Sequence, residues 1–103
     1  MLKDCSIIIP CFKTSFNLLN ECIDDIINHW DSSKINLEII LVIDGGIKKN
    51  SKDFQEYLKI KNNNQLVKLL HNKLQIGQQK SLLNGFDYSN ADVIVTIDDD
   101  YKY

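Results

Sequence analysis

The fold is decided by residues 6–46, which read SIIIPCFKTSFNLLNECIDDIINHWDSSKINLEIILVIDGG. Residues 6–9 are rich in β-branched side chains and predict a buried strand, which Pro10 closes. Apolar residues then recur every three or four positions over about residues 17–30, which is typical of an amphipathic helix. A second apolar run at residues 37–43 predicts another strand, and Asp-Gly-Gly at 44–46 ends it. A strand, a helix and a strand in this order predict two parallel strands joined by a crossover helix.

The remainder of the sequence continues the alternation of helices and strands. It predicts, in order, a helix at 51–62, a strand at 66–70, a helix at 78–89 and a strand at 93–97. The third helix is predicted to direct Leu82, Leu83 and Phe86 inward. We therefore expect one α/β domain over residues 1–103, with a three-layer, Rossmann-like β-α-β-α-β-α-β order and a mostly parallel sheet.

The composition excludes several classes of protein. The 103 residues are 44% hydrophobic and 25% charged, which is typical of one globular domain rather than a disordered chain. The net charge is -2 and every basic residue except histidine is a lysine, so a nucleic-acid partner is not expected. No apolar run approaches the roughly 20 residues of a membrane-spanning helix. The N-terminus does not have the layout of a signal peptide.

The cysteines indicate a compartment. Cys5, Cys11 and Cys22 are an odd number and are not spaced as CxxC, so neither a disulfide framework nor a zinc site is predicted. Reduced thiols are typical of a cytoplasmic chain. We therefore expect a cytoplasmic location.

The predicted topology directs attention to the residues that follow each strand, because ligands of open parallel sheets bind beyond the carboxyl ends of the strands. Asp98, Asp99 and Asp100 directly follow the fourth strand. Adjacent carboxylates repel one another unless a cation offsets them, and Mg²⁺ or Mn²⁺ prefers such oxygen ligands. In extended backbone, Asp98 and Asp100 point to the same side and Asp99 to the other. The alternative is a solvated acidic turn.

Two further positions each allow two interpretations. Asp44, after the second strand, accepts hydrogen bonds from a ribose or a base, or it starts an ordinary strand-ending turn. Gly77 leaves backbone N–H groups open to a phosphate, or it is a loop glycine. Neither GxGxxG nor GxxxxGK[ST] occurs. His29 and His71 have no ligand-spaced partner in the sequence, so we expect structural roles for them.

The strand-end motifs resemble those of family 2 glycosyltransferases with the GT-A fold. Residues 6–14, SIIIPCFKT, are similar to the family's opening "S-I-I-I-P-x-(Y/F)-N-E", and residues 42–46, VIDGG, to "V-D-D-G-S". Residues 72–100 are similar to "N-x-G-x-x-x-A-l-x-x-G…G-D-x-I-x-x-x-D-x-D". Residues 77–86 and 95–100 also resemble the branch that acts on polyprenyl phosphates. The resemblance extends from about residue 5 to residue 103.

The resemblance implies a donor site for a nucleoside-diphosphate sugar, UDP- or GDP-linked, with a divalent cation, Mg²⁺ or Mn²⁺. It implies nucleotide-sugar-binding roles for Pro10, Phe12, Asp44, Gly77, Lys80, Asp98 and Asp99. It implies that Asp98 and Asp100, the ends of the family's DxD motif, hold the cation. The acceptor implied is a polyprenyl phosphate or a saccharide.

The sequence also departs from the family pattern. Ile43 replaces the first acid of "D-D-G-S", Gly46 replaces its serine, and Lys13-Thr14 replaces "N-E". Family domains are about twice this length. We therefore expect the acceptor-binding half, with the catalytic base, to be absent from residues 1–103. A non-catalytic binding or interaction module of the same fold is the alternative, and the apolar strand at 93–97 predicts self-association through an open edge.

Overall fold

The computed structural model of the chain describes residues 3–11, 15–72, 83–85, 88–89 and 91–97. Four strands and two helices have defined bounds: β1 Lys3–Cys11, α1 Phe16–Asn28, β2 Ile35–Ile43, α2 Lys52–Asn63, β3 Val67–His71 and β4 Val93–Thr96. Residues 83–85 and 88 are also helical, and the remainder of the helix predicted at 78–89 lies mostly outside the described residues. The order of elements agrees with the predicted alternation.

The four strands form one sheet in the order β3-β2-β1-β4, and every neighbouring pair is parallel. The central strand β1 pairs with β2 over its full length, and it pairs with β4 from Cys5 to Ile8. This arrangement confirms the predicted α/β, Rossmann-like fold. It also extends the first strand beyond the prediction, because Pro10 and Cys11 still pair with Val42 and Ile43.

The first face of the sheet packs against α1 and α2. Alternate residues of β1 and β2, among them Ile9 and Leu41, meet buried residues of α1 there. Tyr57 of α2 is fully buried in the same cluster, and its ring lies 4.9 Å from that of Phe16 in an edge-to-face arrangement. This face therefore holds the main hydrophobic core.

The second face carries a smaller cluster of Ile8, Ile40 and Val42, which are fully buried. Helical residue Gly85 lies directly over it, because a Cβ added to Gly85 would be 2.6 Å from Ile8 Cγ2 and 3.3 Å from Val42 Cγ2. The prediction that Leu83 points inward is wrong, since Leu83 is 58% exposed. The helix approaches the sheet through its glycine, because the absence of a side chain permits the closest contact.

The two complete helices begin differently. Ser51 precedes α2, and its Oγ accepts a hydrogen bond from the Phe54 N–H at 3.2 Å. Ser15 occupies the same position before α1, but its side chain makes no capping hydrogen bond. In the part of the chain that the structure describes, neither helix has the length and apolar character needed to cross a bilayer.

Candidate functional site at the carboxyl edge of the sheet

The strand order creates one position where a ligand crevice is expected. From β1 the chain proceeds outward through β2 to β3, and β4 then lies on the opposite side of β1. The chain thus leaves β1 toward one edge of the sheet and reaches β4 at the opposite edge. The position between these two strands is a topological switch point, and ligands of open α/β sheets bind beyond the carboxyl ends of the strands there. In this chain, the switch point lies between Cys11, which ends β1, and Thr96, which ends β4.

Pro10 lies at this point, with its nitrogen toward β4. In the described part of the chain, the last ladder bond between the two strands runs from the Ile97 N–H to the Ile8 carbonyl at 3.0 Å. Every second residue of a parallel strand directs its N–H and C=O toward the same neighbour, so the nitrogen of Pro10 also faces β4. Proline has no N–H to donate on that side, whereas β1 remains paired with β2 through Cys11.

Asp44 occupies the carboxyl end of β2, next to the end of β1. Its backbone N–H donates to the Cys11 carbonyl at 2.9 Å, and the residue is only 3% exposed. Its carboxylate oxygen Oδ1 accepts a hydrogen bond from the Gly46 N–H at 2.8 Å, and its carbonyl accepts one from the Ile47 N–H at 3.0 Å. The Asp-Gly-Gly segment thus forms the strand-ending turn, which holds the carboxylate at the sheet edge.

The end of β3 adds a second polar residue to this edge. The Asn72 N–H donates to the Ile43 carbonyl at 2.9 Å, and the Asn72 side-chain oxygen accepts a hydrogen bond from Asn84 Nδ2, also at 2.9 Å. These contacts attach the helical segment 83–85 to the end of β3. The sequence alone predicted no role for Asn72. Its position after an apolar strand was the available signal.

His71 has the structural role expected from the sequence. Its Nε2 lies 2.7 Å from the Ile47 carbonyl oxygen, and its ring packs at 5.0 Å from that of Phe54. These contacts connect β3, α2 and the turn that follows Asp44. The imidazole therefore supports the loop that leaves the edge of the sheet.

Of the predicted nucleotide-sugar-binding residues, the structure places Pro10 near the end of β1 and Asp44 directly after the neighbouring strand β2, at the same edge of the sheet. The other predicted site residues lie outside the described residues: Phe12, Gly77, Lys80, Asp98, Asp99 and Asp100. Within the described ranges, no three His, Cys, Asp or Glu side chains gather where they could hold a metal ion. The described part of the site therefore consists of the ends of the strands that border it.

Two grooves bordered by described residues lie away from this edge. One, of about 600 Å³, lies at the amino ends of the strands and is lined by polar residues that include Asp4, Glu38 and Lys68. The other, of about 560 Å³, is largely apolar and lies between α1 and β4, with Trp30 and Val95 in its lining. Neither includes Pro10 or Asp44.

Similarity to known proteins identifies the family of the chain. No curated protein matches the chain. The mannosyltransferase PcManGT from Pyrobaculum calidifontis, solved in complex with GDP-Man and Mn2+, is similar with a TM-score of 0.70 and 17% sequence identity. The similarity covers 97% of this chain but 28% of that chain, so this chain spans little more than a quarter of that length. At this identity the similarity shows a common fold, which is that of a GT-A-type enzyme.

The sequence model of Glycosyl transferase family 2 matches residues 6–103, from the first apolar strand through the run of aspartates to the final residue of the sequence. The match includes the residues that follow each of the four strands in the sequence. The chain belongs to glycosyl transferase family 2.

Proposed function

We propose that the chain is the donor-binding part of a glycosyltransferase and that it binds a nucleoside-diphosphate sugar at the carboxyl edge of the sheet. The observation that carries this proposal is the strand order, which puts a switch point between β1 and β4 beside Asp44. Membership of family 2 supports glycosyl transfer as the reaction. The similar mannosyltransferase was solved with GDP-Man, which supports a nucleotide-linked sugar as the donor class.

The base and ribose are assigned to the β1 and β2 ends. Pro10 and Phe12 line the base pocket, and Asp44 accepts a hydrogen bond from the base or the ribose. Pro10 is buried and Asp44 is nearly so, so both present fixed groups rather than mobile side chains. A fixed acceptor at a sheet edge suits recognition because little side-chain entropy is lost on binding.

The diphosphate is assigned to Gly77 and Lys80, with Asp98 and Asp99 also on the nucleotide sugar. Asp98 and Asp100 hold the divalent cation. Two carboxylates separated by one residue fit Mg²⁺ or Mn²⁺, which take oxygen ligands. When bound, the cation supplies positive charge that offsets the charge developing on the departing nucleoside diphosphate. The Mn2+ in the similar mannosyltransferase supports this choice of cofactor class.

The acceptor is a polyprenyl phosphate or a saccharide. We assign no residue of this chain to the role of catalytic base, and we propose that the acceptor-binding half of the enzyme lies outside residues 1–103. The cysteine usage supports a cytoplasmic location, at the cytoplasmic face of a membrane if the acceptor is a polyprenyl phosphate.

A non-catalytic module of the same fold is the second candidate. The observation that favours it is the hydrogen bond between Asp44 Oδ1 and the Gly46 N–H, because that carboxylate oxygen already has a structural partner. Under this alternative the edge keeps its turn but binds no nucleotide. The two candidates therefore differ in a single measurable property, which is metal-dependent affinity for a nucleoside diphosphate.

Calorimetric titration of UDP and of GDP, with and without Mn²⁺, tests the proposal. We expect binding that requires Mn²⁺, with one nucleotide preferred, and we expect Asp98→Ala and Asp100→Ala to abolish it. Asp24→Ala is the matched control because Asp24 is an exposed carboxylate on α1. Absence of heat with both nucleotides would favour the non-catalytic module, and equal loss of binding in the control would contradict the assignment of the cation to Asp98 and Asp100.

We also propose that the chain self-associates through the free edge of β4. In the described part of the sheet, β4 pairs only with β1, and Val93, Ile94 and Val95 are exposed. An apolar edge with unpaired backbone groups is a template for a strand from a second copy. The expected complex joins two sheets edge to edge.

A further inference from the structure

The apolar pattern of β4 does not determine how β4 aligns with β1. The strand has only four residues, and Val93, Ile94 and Val95 alternate between the two faces of the sheet. Their exposed fractions are nearly equal, at 40%, 36% and 41%. Shifting a strand by one residue exchanges the faces of all its side chains, and this is costly only when one face is apolar and buried. Ile97, directly after the strand, packs partly against the main core, so the apolar contacts constrain the register only at its end. A polar contact nearer the start of β4 would add the constraint that the strand itself lacks.

A chain of short hydrogen bonds on the second face provides such a contact. Ser89 Oγ donates to Ser6 Oγ at 2.7 Å, and Ser6 Oγ donates to Glu38 Oε2 at 2.6 Å. Lys68 Nζ donates to Glu38 Oε1, also at 2.6 Å. Ser6 is fully buried and Ser89 is 9% exposed. The chain thus crosses β1, β2 and β3 and ends on the residue that leads into β4.

Ser89 controls the approach to β4 in a second way. Its Oγ also accepts a hydrogen bond from the Ala91 N–H at 3.2 Å, two residues before the strand begins. The hydroxyl is therefore held on both sides, as donor to Ser6 and as acceptor from the incoming backbone. A weaker contact, from the Asp4 N–H to Asp92 Oδ2 at 3.3 Å, is exposed. The buried serine pair is the stronger constraint because burial excludes water as a competing partner.

Glu38 fixes the direction of donation in this chain of hydrogen bonds. Partial burial tends to raise the pKa of its carboxyl, but the hydrogen bonds from Lys68 and Ser6, with the charge of the lysine, hold that pKa below its usual value. Ionised Glu38 accepts a hydrogen bond from Ser6, so the Ser6 hydroxyl proton points to Glu38 and is not available to Ser89. The lone pairs of Ser6 then remain for Ser89, which leaves a single satisfied arrangement.

We propose that Ser89 is a positioning residue that sets the register of β4 against β1 through its hydrogen bond to buried Ser6. The consequence for the site rests on the proposed function. The proposed cation ligands Asp98 and Asp100 follow β4 directly in the sequence, so the register of β4 decides where along β1 that segment begins. A slip of one residue would move its starting point by about 3.3 Å.

Cross-linking to a natural cysteine tests the register without any nucleotide. Cys5 is the partner of Val93 across the β1–β4 ladder. Neighbouring strands lie about 4.8 Å apart, which is within the range that a disulfide spans. Under mild oxidation we expect Val93→Cys to form a disulfide with Cys5 and Ile94→Cys not to form one. Peptide mapping by mass spectrometry under non-reducing conditions identifies the cross-linked pair.

The same pair of cross-linking variants is then combined with Ser89→Ala. We expect the yield at position 93 to fall at least threefold and cross-linking at position 94 to appear. Ser89→Thr, which retains a hydroxyl, should restore the original pattern, and the exposed Ser32→Ala should leave it unchanged. If Ser89→Ala does not fold, Glu38→Gln weakens the same chain and should shift the yields in the same direction. An unchanged pattern in folded Ser89→Ala or Glu38→Gln protein would overturn the proposal.

Nucleotide titration separates this inference from the proposed function. If wild-type protein binds UDP or GDP with Mn²⁺, we expect folded Ser89→Ala to bind at least tenfold more weakly. A shifted cross-link with unchanged nucleotide affinity would overturn the link between register and site. Absence of nucleotide binding in the wild type would overturn the proposed function, whereas the cross-linking result would still decide the role of Ser89.

Discussion

Replacing Gly85 with alanine would place a methyl group 2.6 Å from Ile8 Cγ2, 3.1 Å from Ile8 Cδ1 and 3.3 Å from Val42 Cγ2. The first separation is far below van der Waals contact, and Ile8 is fully buried with a branched Cβ that leaves its Cγ2 few alternative positions. Either the helical segment must move away from the sheet or Ile8 must leave its rotamer. Gly85→Ala is therefore expected to destabilise the fold.

The magnitude follows from two opposing terms. Overpacking a well-packed core costs about 1–3 kcal/mol. Alanine in a helix interior is better than glycine by about 1 kcal/mol. We therefore expect a net loss of about 1 kcal/mol, with an upper limit of about 2 kcal/mol, in the free energy of unfolding. Denaturant unfolding followed by circular dichroism measures this difference.

A double-mutant cycle identifies the source of the loss. Ile8→Leu conserves volume but moves the branch away from Cβ, so the cost of Gly85→Ala should be smaller by at least about 0.5 kcal/mol in that background. Leu83→Ala is the control on the same helical segment, and its effect should stay within about 0.5 kcal/mol because Leu83 is exposed. A Gly85→Ala protein more stable than the wild type, or additive effects with Ile8→Leu, would refute this account of the contact.

Three further outcomes are expected. The lowered pKa of Glu38 means that its stabilising contribution is present above its unfolded pKa of about 4.3 and is lost as the pH falls through the folded pKa. Glu38→Gln should accordingly be less stable than the wild type at pH 7, and its free energy of unfolding should fall less than that of the wild type on acidification. Urea unfolding at pH 7 and at about pH 2.5 measures both differences. Ile94→Lys should reduce the concentration-dependent increase in mass seen by light scattering, whereas Gln55→Lys, which adds the same charge on exposed α2, should not. A chain that stays monomeric at high concentration would contradict self-association through β4. Ser51→Ala should cost about 1 kcal/mol in the free energy of unfolding because it removes the cap of α2, and Ser15→Ala should cost clearly less because its side chain makes no cap bond. Equal costs would show that the cap of α2 contributes nothing.

The sequence predicted β1 and β2 well because both contain buried apolar runs, and the alternation of strands with helices required a parallel sheet. The prediction for Leu83 was wrong because the periodicity of apolar side chains does not reveal a contact made by a residue that has no side chain. Gly85, which approaches the sheet most closely, contributes nothing to such a pattern.

The candidate site was predictable as a location and less so as a set of contacts. Topology alone brings the ends of β1 and β2 together, so the proximity of Pro10 and Asp44 followed from the strand order. Sequence could not decide between a turn and a ligand contact at Asp44, because both uses require the same carboxylate followed by glycines. It also took Pro10 as the end of the strand. The structure keeps Pro10 within β1, because its missing N–H faces β4 and the pairing of β1 with β2 does not need it.

The position of β1 at the centre of the sheet affects how the protein folds. Contacts between β1 and β2 join residues 32 apart in sequence, such as Asp4 and Asn36, whereas the contact between Asp4 and Asp92 spans 88 residues. Closing the longer loop costs about 0.9 kcal/mol more in chain entropy. Pairing over long separations is slow, so β4 is expected to join after the other three strands. During synthesis, one side of β1 therefore remains exposed until residues 93–96 have been made, and in that interval it can pair with the wrong strand or bind a chaperone.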